Sequence, residues 1–157
     1  MIGLLKEVLN DINLKYTVRE KGEEQFISLT FEKEDLFNEL IRYNILIFTD
    51  PSINAVSLYV PAINPIGVDD FKSLNNNILK EKIEYFNERN LYGMLKVMEN
   101  NEIRFKYSFV YLHSYEYLKD VLEVLFGYID FIVYEVALLA MPTLSLRNFI
   151  SIREIKK

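Results

Sequence analysis

The stretch at residues 114–140 constrains the fold of this chain more than any other. Glu116, Asp120, Glu123, Gly127, Asp130 and Tyr134 recur at steps of four and three, which places them on one narrow stripe of a helix. Nearly everything else between 118 and 141 is apolar. A helix lying on a sheet needs an apolar arc of only about 100°, and this arc is much wider. Burying a large apolar side chain contributes roughly 1.5–3 kcal/mol, while leaving several in water creates an association-prone patch. The second flank therefore needs cover from the tail, the other helices or another subunit, and the sequence predicts a homodimer. Ser114 is a natural N-cap and Pro142 breaks the helix. Glu123, Asp130 and Glu135 interrupt the apolar run at 121–141, each costing about 2.5–3.5 kcal/mol near a membrane centre, so no membrane span is expected.

The segment before it has a different period. Ile103, Phe105, Tyr107, Phe109 and Tyr111 alternate with Arg104, Lys106 and Ser108, the pattern of a strand with one buried and one wet face. Strands are likewise predicted at 15–20, 25–32, 44–49, 55–60 and 91–98. They are separated by turn chemistry: Gly22 among charges at 21–24, Pro51 at 50–54, and the Asn-rich 99–102. Pro61, Pro65 and Gly67 mark 61–68 as a loop. Helical spacing appears at 2–13 (Ile2, Leu5, Val8, Leu9, Ile12, with Asn13 as a stop). It appears again at 33–42 (Leu36, Phe37, Leu40, Ile41) and at 69–89 (Phe71, Leu74, Ile78, Leu79, Ile83, Phe86). Asp69 is the expected N-terminal acceptor of the last of these. Asn75, Asn76 and Asn77 then fall in mid-helix and read as a solvated turn, since Asn is a mediocre helix former. The expected fold is α+β: an antiparallel sheet with an N-terminal, a middle and a long C-terminal helix packed on it. Residues 1–141 form a single domain and 142–157 a tail.

Composition narrows the chemistry. With no Cys and one His, a thiol nucleophile, a thiolate metal site, a disulfide scaffold and a multi-histidine zinc site are excluded. Lys plus Arg is 18 and Asp plus Glu is 23, a net charge of −5. That acidic balance argues against a nucleic-acid partner, although 147–157 carries Arg147, Arg153, Lys156 and Lys157 against Glu154. All five glycines (Gly3, Gly22, Gly67, Gly93 and Gly127) are isolated, so there is no phosphate-cradling loop. His113 stands beside Ser114 and near Glu116 and Asp120, but sequence neighbours rarely reach the mutual geometry of a triad, and a capping or surface role is expected. Asp69 and Asp70 suit a helix start electrostatically, and Glu116, Asp120 and Glu123 read as a solvated face rather than a divalent-ion stripe. The expectation is a non-enzyme with no catalytic, cofactor or metal residue. A start interrupted by Glu7 and Asp11 does not match a signal peptide, and with the absence of Cys it leads to a cytoplasmic expectation.

Residues 85–110 carry a family resemblance. Asn87, Asn90 and Gly93 occupy the places of an Asn-x-x-Asn element that ends a middle helix before a short strand, a polar turn and an alternating strand. Leu58, Tyr59, Val60 and Pro61 match a strand end before that helix, and the final helix fits. Over about residues 1–140 the chain resembles the YbjN family of sensory-transduction regulators, whose fold is like that of type III secretion chaperones. The departures are the helix expected at 33–42 and the tail after Pro142. The resemblance implies a chaperone-like or regulatory dimer that binds extended protein segments along sheet edges or apolar grooves. The alternative is a regulator that responds to a small ligand in an aromatic-lined cavity between sheet and helix.

Overall fold

The computed structural model describes residues 1–34, 40–63, 74–90 and 92–140. The elements run α1 (Ile2–Asp11), β1 (Thr17–Lys21), β2 (Glu24–Glu34), β3 (Leu40–Asp50), β4 (Ala55–Val60), α2 (Asn76–Arg89), β5 (Met94–Val97), β6 (Ile103–Val110) and α3 (Tyr115–Ala140). The strands pair antiparallel in one six-stranded sheet, ordered β1-β2-β3-β4-β6-β5. The chain is therefore an α+β fold of the expected arrangement. Gly22 turns the β1–β2 hairpin at a φ of 65°, and Asn13, which follows α1, takes a φ of 57°. Both positions need the left-handed conformation that Gly and Asn tolerate best.

Period-two alternation decides which face of the sheet is dry. Ile27 and Leu29 of β2, Tyr43, Ile45 and Ile47 of β3, Val56, Leu58 and Val60 of β4, and Ile103 and Phe105 of β6 are all buried. Against them lie Leu5, Val8 and Leu9 of α1, Leu79 and Ile83 of α2, and Leu118, Leu122, Leu125, Ile129, Ile132, Val133 and Val136 of α3. Phe31 of β2 meets Phe126 of α3 at 5.9 Å between ring centroids. Asp11 of α1 pairs with Lys119 of α3 at 2.7 Å. The wide apolar arc of α3 is thus covered mostly within the chain. Val124 and Phe131 remain outside, 59% and 51% exposed. Among the described residues no helix is long and apolar enough to cross a membrane.

Two sequence expectations are corrected. The helix at 33–42 is replaced where the chain is described. β2 runs on through Lys33 and Glu34, which pair with Ile41 and Leu40 of β3; residues 35–39 lie outside the described residues. The spacing of Leu36, Phe37, Leu40 and Ile41 suggested a helix, but an alternating run begins at Ile41 and the ladder to β2 carries it. The middle helix does not start at Asp69. Asn75 is its N-cap, with extended backbone (φ −67°, ψ 115°), and its side chain accepts from the Asn77 and Ile78 amides. An Asn at a helix start satisfies amides that have no partner within the helix, so Asn75 opens the helix rather than sitting in its middle. Asp69, Asp70 and Phe71 lie outside the described residues, as does the tail at 142–157.

Candidate functional site

The two edges of the sheet differ. β5 is one edge, and α2 lies along it. The Asn87 side chain accepts from the Leu95 amide at 2.9 Å and donates to the Leu95 carbonyl at 2.8 Å. One carboxamide thus takes the place that a neighbouring strand's backbone would fill. Asn90 donates to the carbonyls of Tyr92 and Gly93 at 3.0 and 3.3 Å. Asn76 donates to the Met98 carbonyl and to the Asn101 side-chain oxygen. Asn101, a buried polar side chain, in turn donates to the Leu74 carbonyl at 2.8 Å. Four asparagines therefore sew α2 and its entry to β5 and the β5–β6 turn. The sequence reading of Asn87 and Asn90 as the end of the middle helix holds for Asn90 and not for Asn87. Asn90 is the C-cap but holds φ −81° and ψ 130°, and Asn87 lies within the helix with its side chain aimed across to the strand.

Gly93 makes the same junction possible. Its φ is 72°, and a Cβ there would lie 2.5 Å from the Phe105 ring and 2.8 Å from the Lys106 carbonyl oxygen. Only a residue without a side chain lets β5 approach β6 here. The opposite edge, β1, pairs with β2 alone and is exposed except at Val18. No described element seals it as Asn87 seals β5.

The two faces differ as well. On the face turned away from the helices, Phe26 and Phe48 stack with ring centroids 5.0 Å apart. Leu46 pairs in register with Tyr59, and Tyr59 with Lys106. These four apolar or aromatic side chains are only half-buried, and Met94, opposite Lys106, is 66% exposed. One corner of this face is basic: Lys96 sits directly opposite Arg104, and Lys106 lies two residues further along β6. Like charges directly opposite across a ladder are destabilising. A shallow depression of about 550 Å³ is lined by Tyr59, Met94, Lys96, Arg104 and Lys106. The diagonal corner mixes signs: Glu24 and Asp50 lie there with Arg19, in register with Phe26, and Lys21, in register with Glu24. A second depression runs from Glu23, Glu24, Phe48 and Asp50 round to Met1 and Ile2 of α1.

The remaining candidates have structural roles. Ser114 Oγ accepts from the Tyr117 amide at 3.2 Å, so it caps α3. His113 is exposed at a φ of 54° and touches the Tyr111 ring edge-on. Glu116, Asp120 and Glu123 are exposed, and no cluster of three metal-ligating side chains occurs among the described residues. Asp130, on the same stripe of α3, is half-buried, and its carboxylate accepts from the Tyr43 hydroxyl at 3.3 Å. Burial, and then the Asp130 charge, push the Tyr43 hydroxyl well above the usual phenol range. The Asp11 carboxylate is held below its ordinary value by hydrogen bonds from Lys119 and Tyr115, which ties α1 to α3 at the surface. Between sheet and α3, Phe31 packs on Tyr43 and Phe126 at 5.5 and 5.9 Å between centroids, and these rings fill with one another space that a ligand would need. A second ring cluster, Tyr92, Tyr107, Phe109, Tyr128 and Phe131, runs out to the surface, where Tyr92 and Phe131 are exposed.

The chain matches no family model. A search for relatives among curated proteins finds no match either.

Proposed function

We propose that this chain is a non-enzymatic, chaperone-like or regulatory domain that acts as a homodimer and binds an extended protein segment. The observation that carries the reading is the one-sided closure of the sheet. One face is covered by three helices and one edge is sealed by Asn87, while among the described residues nothing covers the other face or the β1 edge. Unpaired backbone groups on an open edge are a template for an added strand. Arg19, Glu20 and Lys21 on that edge discourage indiscriminate pairing without blocking a partner of matching charge. The resemblance of residues 85–110 to the YbjN family points the same way, and the strand at 33–34 removes one of the departures from it. A small-ligand regulator gains less support, because the aromatic side chains between sheet and helices pack on each other. A cytoplasmic setting goes with this reading.

The test is an array of extended peptides probed with the labelled chain, followed by hydrogen exchange on the complexes. A bound segment should slow exchange in β1 and leave β5 unchanged. Capture of no peptide, or protection that spares β1, would refute strand addition.

A further inference from the structure

We infer that the segment received by β1 carries an acidic residue opposite Arg19 and an apolar residue opposite Val18. This rests on the strand addition in the proposed function and names the chemistry of the added strand. A two-residue turn, Gly22 and Glu23, joins β1 to β2, so the closing pair Lys21 and Glu24 exchanges backbone hydrogen bonds. Bonded pairs alternate along an antiparallel ladder. Thr17 and Arg19 therefore also direct their backbone groups at β2, and Val18 and Glu20 direct theirs outward. An antiparallel strand added to this edge bonds to Val18 and Glu20. Its residue between those two positions faces Arg19 in a pair without hydrogen bonds, where Cα atoms stand only about 4.5 Å apart and side chains come closest.

Two of the three charges on this edge are matched by β2. Glu20 lies on the helix-covered side and accepts from the Gln25 carboxamide at 3.0 Å. Lys21 is in register with Glu24. Arg19 is in register with Phe26, is exposed, and makes no side-chain hydrogen bond or ion pair among the described residues. A carboxylate on the added strand supplies its counter-charge, and opposite charges directly across a ladder attract. Val18 is half-buried and in register with the fully buried Ile27, so an apolar neighbour there extends the dry layer. A second copy of this chain answers the edge poorly. Pairing β1 with β1 about Arg19, the register that joins both outward residues, sets two arginines directly opposite each other, which is destabilising. A segment of a different protein, acidic at one position and apolar at the next, meets the charge and the backbone together.

Immobilised peptides of alternating Thr and Val, with the central Thr replaced by Glu, Gln or Lys, test this against the intact chain. The wild type should retain the Glu peptide about threefold to tenfold better than the Lys peptide, with Gln between. Added salt should shrink that preference. R19E should invert the order and R19Q should flatten it, while K96E, on the far edge of the sheet, should leave it unchanged. Exchanging the Val residues beside the central position for Ser should lower retention of every peptide. Circular dichroism confirms folding, and R19Q serves alone if R19E does not fold. Retention of no peptide would overturn both the acidic segment and strand addition. Slowed hydrogen exchange in β1 without a preference for Glu would overturn the acidic segment alone, as would a preference that R19Q leaves intact or K96E removes. Equal retention of the Ser-exchanged peptides would overturn the apolar position alone. In these last cases strand addition keeps its own readout, the protection of β1.

Discussion

Replacing Asn87 with Ala should uncover the sealed edge of the sheet. The substitution removes two hydrogen bonds to one residue, at 2.9 and 2.8 Å, on a strand of only four residues. Each bond contributes about 0.5–1.5 kcal/mol net, and a buried group left without a partner costs about 1–3 kcal/mol. Leu95 is 2% exposed, so water reaches the vacated groups poorly. The expected loss is about 2–3 kcal/mol, concentrated at β5. Urea denaturation reads the global part. Native-state hydrogen exchange reads the local part: the Leu95 amide should exchange about 30-fold faster or more, since about 1.4 kcal/mol is tenfold. Asn87→Asp separates the two bonds. The carboxylate still accepts from the Leu95 amide but opposes the Leu95 carbonyl, which disfavours its charged form and raises its folded pKa. Stability relative to wild type should therefore recover as pH falls through that raised value, where the protonated acid donates to the carbonyl. An Ala variant whose Leu95 amide exchanges at the wild-type rate would refute the idea that one side chain closes this edge.

Three further outcomes follow from the same geometry. Gly93→Ala should cost about 2–5 kcal/mol, the sum of about 1–2 kcal/mol for left-handed backbone and about 1–3 kcal/mol for overpacking against Phe105. Gly22→Ala, at φ 65° with nothing within 4 Å, should cost only the backbone part, and equal losses in the two would remove the steric argument. Tyr43 should resist ionisation when the folded chain is titrated by ultraviolet absorbance. Its raised folded value contributes stability below the ordinary phenol pKa of about 10, and that contribution is lost as pH climbs above it. Asp130→Asn should leave part of the shift in place, because burial is the first of its causes; a Tyr43 titrating normally in that variant would contradict this. Asn101→Ala should destabilise by about 1–3 kcal/mol, because it strips partners from Asn76 and the Leu74 carbonyl, and thermal unfolding would measure it.

Particular residues explain which features the sequence disclosed. The alternation at 103–111 named the dry face of β6 because period two depends on neighbours in sequence alone, and the Ser114 cap was legible for the same reason. The helix expected at 33–42 failed because four apolar residues at helical spacing outweighed an alternating run whose partner strand lies elsewhere in the chain. The pair Lys33–Ile41 becomes evidence only once the register is known. The asparagines were legible only in part. Asn87 and Asn90 were read together as the end of the middle helix, and Asn90 does cap it. Asn87 reaches eight residues ahead to Leu95, and Asn76 reaches to Asn101, and no local propensity encodes such a reach.

The charge pattern of the open face was hidden for a related reason, and this bears on how the chain associates. Composition supplied a single net value, −5, which argued against a nucleic-acid partner. The register divides the charge differently. Lys96 and Arg104 are eight residues apart in sequence and face each other across two strands, while Asp50 and Glu24 come from different hairpins and meet at one depression. The sequence placed the dimer on α3 because the apolar arc there is wider than one sheet needs to cover. Most of α3 is buried inside the chain, and Val124 and Phe131 are the part of that arc left outside. Added salt tests that surface: a dimer held by Val124 and Phe131 should hold or tighten as salt rises, and one that loosens would rest on charge instead.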